Sequence, residues 1–185
     1  MGDIQLAGSF LIGGAVLLTI LGMNIEILET SSINSLGTMA QENVMEIAEI
    51  IEYDFKKIGY MVPRTTAAIV SMTDSSISFL SDIDQDNAVD TVAYRLGLPG
   101  ETSMTDNPND RYLYRSVNGT EYDVALGVTS WEFAYFTGNM STTSSVDSVR
   151  VIQISFEVGT MYGYNENYGR ASWSSQIAPK NLGAL

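Results

Sequence analysis

The polar and apolar positions divide the chain into two regimes that meet near residue 60. From Ile4 to Ile25 the sequence IQLAGSFLIGGAVLLTILGMNI carries no Asp, Glu, Lys or Arg. As a helix rising 1.5 Å per residue, about 22 residues cover about 33 Å, close to the thickness of a bilayer core. The next segment, EILETSSINSLGTMAQENVMEIAEIIEYDFKKIGY, changes to an amphipathic repeat. Ile33, Leu36, Met39 or Ala40, Val44, Ile47, Ile51, Phe55 and Ile58 recur at three- and four-residue steps. Glu42, Glu46, Glu49, Glu52, Lys56 and Lys57 fall largely between them. No proline interrupts the chain before Pro63, so the pattern predicts one long helix in two different surroundings. Its first part is apolar all round; its second part needs a protein partner along one side. Gly59 is the expected stop, and Pro63 prevents a restart nearby.

Beyond Ala67 the period falls from 3.6 to 2, which predicts a head made mostly of strands. AAIVSM and SISFLSDI read as two strands about the turn-forming Asp74-Ser75-Ser76. VDTVAYRLG follows, with Val92, Tyr94 and Leu96 on one face, and then a long polar insertion, GETSMTDNPND. RYLYRSV and GTEYDVAL flank Asn118-Gly119, the strongest hairpin signal in the chain. TSWEFAYF places Trp131, Phe133 and Tyr135 together. In SVRVIQISFEV, Ile152, Ile154, Phe156 and Val158 alternate with Gln153, Ser155 and Glu157. A last strand is expected over Gly169 to Ile177. The fold class is therefore α+β, with a long N-terminal helix packed on an antiparallel sheet. Its parts are an apolar half, 1–25, an amphipathic half, 26–60, and a β-rich head, 61–185.

Composition narrows the chemistry. The net charge is −13, and the 9 basic residues are scattered, which argues against nucleic acid as a partner. The chain has no cysteine and no histidine. Ser-His-Asp and Cys-His nucleophiles, imidazole zinc sites and haem attachment motifs are thereby removed. The remaining carboxylates and lysines form no catalytic grouping, so no enzyme is expected.

Met1-Gly2-Asp3 lacks a basic lead-in, and no small-x-small site follows the apolar run, so a cleaved secretory signal is not indicated. A single-pass anchor is the plain reading of hydropathy. Gly8, Gly13, Gly14 and Gly22 pull away from it. Glycine costs up to about 1 kcal/mol in a helix interior and suits close helix packing or a segment that unwinds locally.

With these residues in view the chain resembles the type IV pilin family, in which a long helix, apolar and then amphipathic, packs on an antiparallel sheet. Gly14 matches a family glycine. Gly22 stands where the family carries a helix-breaking proline, and Gln5 stands where it carries an acidic residue. The family's carboxylate pairs with a neighbour's N-terminal amine; here Asp3 is the only nearby charge, and Met1 would supply the amine. IEYDFKKIGY, Ile51 to Tyr60, resembles a signature of J- and W-type minor pilins and pseudopilins. ISFLSDIDQDNAVDTVAYRLG, Tyr112 to Tyr135, SVRVIQISFEV and NYGRASWSSQIAPKNL follow in the family's order. The resemblance implies leader removal by prepilin peptidase and extraction from the inner membrane, by the assembly machinery, into an extracellular helical homopolymer. Met1, Asp3, Gln5, Gly13, Gly14 and Gly22 would then be the assembly residues. The alternatives are a minor pseudopilin of a type II secretion-like system and a membrane-anchored binding module.

One motif lies outside that reading. Asp82-x-Asp84-x-Asp86-Asn87, with Asp90 close by, has the alternating oxygen spacing of a calcium loop. The EF-hand pattern fails, because Asn87 and Ala93 occupy its glycine and glutamate positions. An acidic hairpin turn is the plainer explanation, and composition favours it; calcium is the minority alternative, and no other cofactor is implied. Asn118-Gly119-Thr120 and Asn139-Met140-Ser141 match the glycosylation sequon, a pattern common by chance.

Overall fold

In the computed structural model, residues 2–102 and 104–182 are described, with the side chains of 4–6 excepted. Helix α1 runs without interruption from Gly2 to Lys56, 55 residues and thus about 80 Å. The helix continues through Gly8, Gly13, Gly14 and Gly22, so the glycines do not unwind it. Past Lys56 the chain turns, and Gly59 adopts φ +78 with its N–H on the Leu80 carbonyl. The helix therefore ends where the glycine and the following proline predict.

The head contains β1 (Ile69–Met72), β2 (Ser76–Ser81), β3 (Asp90–Leu96), β4 (Tyr112–Val117), β5 (Thr120–Leu126), β6 (Val128–Phe136), β7 (Val151–Gly159) and β8 (Arg170–Ile177). All ladders are antiparallel. They form not one sheet but two: a five-stranded meander, β1-β2-β3-β4-β5, and a three-stranded one, β6-β7-β8. The switch happens at one residue. Gly127 has φ +97, and a Cβ there would lie 2.7 Å from the Gly159 carbonyl oxygen. Only glycine lets the chain leave β5 and enter β6 against that backbone. The β4–β5 hairpin turns at Asn118 and Gly119, with φ 53 and 82, the left-handed pair that the two-residue turn requires.

Both sheets and the second half of α1 share one core. Ala40, Val44, Ile47, Ala48, Ile51, Phe55 and Ile58 are buried, and the helix lies against β8 and β7. At the three- or four-residue choice the structure takes Ala40; Met39 and Ile33 are exposed, so the packed stripe begins later than the sequence repeat does. Phe55 is the hub: its ring centroid is 5.5 Å from Phe79, 5.6 Å from Tyr94 and 5.9 Å from Phe133. It thereby touches strands of both sheets. At the head's upper edge β8 meets the helix so closely that a Cβ on Gly169 would lie 2.3 Å from the Leu36 carbonyl carbon and oxygen.

Candidate functional site

The chain presents two candidates: the unpacked half of α1 and the acidic loop between β2 and β3. In the first, an 18-residue window with a mean hydropathy of 2.0 has none of its residues buried against the rest of the chain. Phe10 and Leu11 are 73% and 76% exposed, and Leu17, Leu18, Ile20, Met23 and Ile25 are open as well. By length and composition this is a helix able to cross a membrane, and a candidate anchor. Two of its polar side chains bond to their own backbone. Thr19 Oγ1 donates to the Ala15 carbonyl at 2.9 Å, and Asn24 Nδ2 donates to the Ile20 carbonyl at 3.0 Å. Such bonds satisfy donors that lipid cannot.

Gly8, Gly13, Gly14 and Gly22 lie along this half, and a Cβ at any of them would meet nothing within 4 Å. Nothing in the fold of a single chain thus requires glycine there. Asp3 is exposed in the first turn, where a carboxylate complements the helix dipole. Met1 lies outside the described residues, as does the Gln5 side chain.

At the other end of the helix a polar network ties α1 to the five-stranded sheet. Asp54, 2% exposed, accepts from Tyr94 Oη at 2.6 Å and from Arg115 Nε at 2.6 Å, both on Oδ2. Burial raises the Tyr94 hydroxyl well above its usual range, and the adjacent Asp54 charge adds to it. Burial is the largest single influence on Arg115 and opposes its charge, but the bond to Asp54, the Asp54 charge and the neighbouring Tyr94 together outweigh it and hold the guanidinium above its ordinary value.

The acidic loop follows β2. Its start is fastened to the end of the helix: the Asp82 N–H donates to the Tyr60 carbonyl at 3.0 Å, and Lys57 Nζ donates to the Ile83 carbonyl at 2.8 Å. Asp82, Asp84 and Asp86 each place one carboxylate oxygen within 4.8 Å of the others. Asp90 does not join them. Its Oδ2 accepts the Ile83 N–H at 3.1 Å and its Oδ1 accepts from Asn118 Nδ2 at 2.7 Å, so both oxygens are committed to holding the turn. Proximity in sequence had grouped it with the others; its place at the first residue of β3 separates it.

A further carboxylate escaped the sequence reading. Asp110, in the β3–β4 insertion, is 1% exposed, and among the described residues neither of its oxygens has a well-formed hydrogen bond. Burial pushes its pKa up to about 6, although Thr105 is near enough to pull it slightly down. The insertion looks like a solvated loop because it is polar, yet it is strapped to the β7–β8 connection. The Asp106 and Asn107 N–H groups both donate to the Met161 carbonyl, and Asn107 Nδ2 donates to the Thr160 carbonyl. Residue type alone carries no signal of that contact.

No family model and no curated protein matches the chain.

Proposed function

We propose that this chain is the structural subunit of a type IV pilus-like helical filament, assembled through the apolar half of α1. The observation that carries the reading is the continuity of that helix. One uninterrupted rod is bare and without charge from Ala7 to Ile25 and is packed into the head from Ala40 onward. Burying a Leu, Ile or Phe side chain is worth about 1.5–3 kcal/mol, so the bare part is untenable in water. Lipid covers it before assembly, and neighbouring copies of the same helix cover it afterwards. Apolar surface stays out of water in both states, and one repeated interface that does not close makes a filament. Glycines without a role in the single chain fit this reading, because they let helices approach closely. The order of the family-like segments from Ile51 to Leu182 supports the same assignment. The head would face the exterior of the cell, and the inner membrane would hold the subunit beforehand.

Electron microscopy of material sheared from cells expressing the full chain tests the proposal. Filaments labelled by an antibody to the head are expected. Purification of the chain only as a monomer retained in the membrane would replace the filament with the single-pass anchor.

A further inference from the structure

We infer that the β2–β3 loop is a calcium site in which Asp82, Asp84 and Asp86 supply the charged ligands. The inference is independent of the filament proposal and applies equally to a membrane-anchored monomer.

The central observation is Asp82 itself. It is 1% exposed, its Oδ2 accepts the Asn87 N–H at 3.2 Å, and its Oδ1 is buried with no hydrogen-bond partner among the described residues. The bare oxygen belongs to the carboxyl group that lies beside those of Asp84 and Asp86, one oxygen of each falling within 4.8 Å of the others. A buried carboxylate oxygen with neither a donor nor a cation is expensive, and native structures seldom retain one without a purpose. The neighbouring Asp90 shows what an acidic residue looks like here when its role is structural: both of its oxygens take donors.

Among the described residues, no cation pairs with Asp82. Lys57 is the closest candidate by position, but its ammonium donates to the Ile83 carbonyl and the Tyr53 hydroxyl. Among the described residues it makes no ion pair with Asp82. Asp84 Oδ1 accepts the Asp86 N–H and Asp86 Oδ1 accepts the Ala88 N–H, so each of these exposed groups spends one oxygen on the turn. Three carboxylates are therefore held together with an uncompensated member at their buried end.

The donor set selects the ion. With no histidine or cysteine in the chain, only hard oxygen ligands exist, and these suit calcium or magnesium rather than zinc or copper. Calcium–oxygen distances of 2.3–2.6 Å allow two ligands of one ion to be at most about 5 Å apart. The separations of up to 4.8 Å meet that condition. Calcium also accepts the irregular mixture of carboxylate, carbonyl and water that a turn can offer, whereas magnesium demands a near-octahedral set.

The test uses the full chain in detergent micelles, stripped of metal with a chelator. Calcium chloride alone is titrated calorimetrically, and the head's melting temperature is read with chelator and with about 5 mM calcium, which exceeds the weak end of natural calcium sites. Saturable binding and a raised melting temperature are expected, with magnesium giving a smaller shift. Asp84→Asn with Asp86→Asn, both exposed positions, should leave folding intact and weaken calcium binding at least about tenfold. Asp82→Asn removes the buried charge, so it should melt no lower than the wild type in chelator and lose its response to calcium. An equal melting temperature in chelator and calcium would overturn the inference. So would an undiminished response in the Asp84/Asp86 double variant, or an equal shift from magnesium.

Discussion

Arg115 Nε donates to Asp54 Oδ2 at 2.6 Å, so a strand of the five-stranded sheet holds the last turn of α1 by a nearly buried charge pair. The side chains are 20% and 3% exposed. Tyr94 closes on the same oxygen from the neighbouring strand. The same turn carries the Phe55 hub, and the residues just after it, Lys57 and Tyr60, fasten the acidic loop.

Removing one partner of such a pair leaves the other charged and uncompensated. Asp54→Ala is expected to destabilise the head by about 3–5 kcal/mol, measured by urea unfolding of the chain in micelles. Tyr94→Phe keeps the ring packing and removes one bond to a charged acceptor, for an expected loss of about 1.5–3 kcal/mol. A double-mutant cycle between Tyr94 and Arg115 should show coupling, because both meet the same oxygen.

Gly14 and Gly169 separate assembly from folding. A Cβ at Gly14 meets nothing within 4 Å, so Gly14→Ile should leave the head's melting transition within about 0.5 kcal/mol of wild type while filaments are lost. Gly169→Ala drives a methyl into the Leu36 backbone and should destabilise the packed chain by about 1–3 kcal/mol. Filament counts by microscopy and head melting, measured on both variants, should move in these opposite directions.

Asp110 gives the head a pH dependence whose sign follows from burial. Its carboxyl has a pKa of about 6 in the folded chain, against an ordinary 3.8. Between those values the folded state binds the proton more tightly than the unfolded state, so this group's contribution to stability falls as pH rises and levels off above about 6. Asp110→Asn should flatten that part of the profile. Above pH 6 the variant should be more stable than wild type by about 1–3 kcal/mol, as read from melting curves across pH.

Asp3 tests the start of the rod. Under the filament proposal its carboxylate meets a neighbouring copy's N-terminal amine, so Asp3→Asn should reduce filament yield without changing the head's melting. Wild-type yield from that variant would remove the pairing and leave the apolar packing to act without it.

Much of this architecture is visible in the pattern of residues. Alternation located β2, β3, β6 and β7, because half-buried strands must place Val92 and Tyr94, or Trp131, Phe133 and Tyr135, on one side. Asn118-Gly119 marked its turn because few other pairs tolerate two left-handed residues in succession. The division into two sheets left no comparable trace; it depends on one glycine, Gly127, pressed against a distant carbonyl. Asp54 was equally hidden. In the helical repeat it occupies a polar slot, and only the arrival of Arg115 from 61 residues away makes burial tolerable. The acidic loop was legible as a cluster but not as a geometry. Spacing grouped Asp90 with the other aspartates, whereas tertiary hydrogen bonds assign it to the turn.

The buried stripe from Ala40 to Ile58 lies along the axis of the rod, not across it. A load applied to the bare end would therefore reach Val44, Ile47, Ile51 and Phe55 in parallel, as shear, and could not peel them away one after another. Extraction of the rod requires these side chains to slip together, which makes the joint between stem and head strongest in the direction of tension.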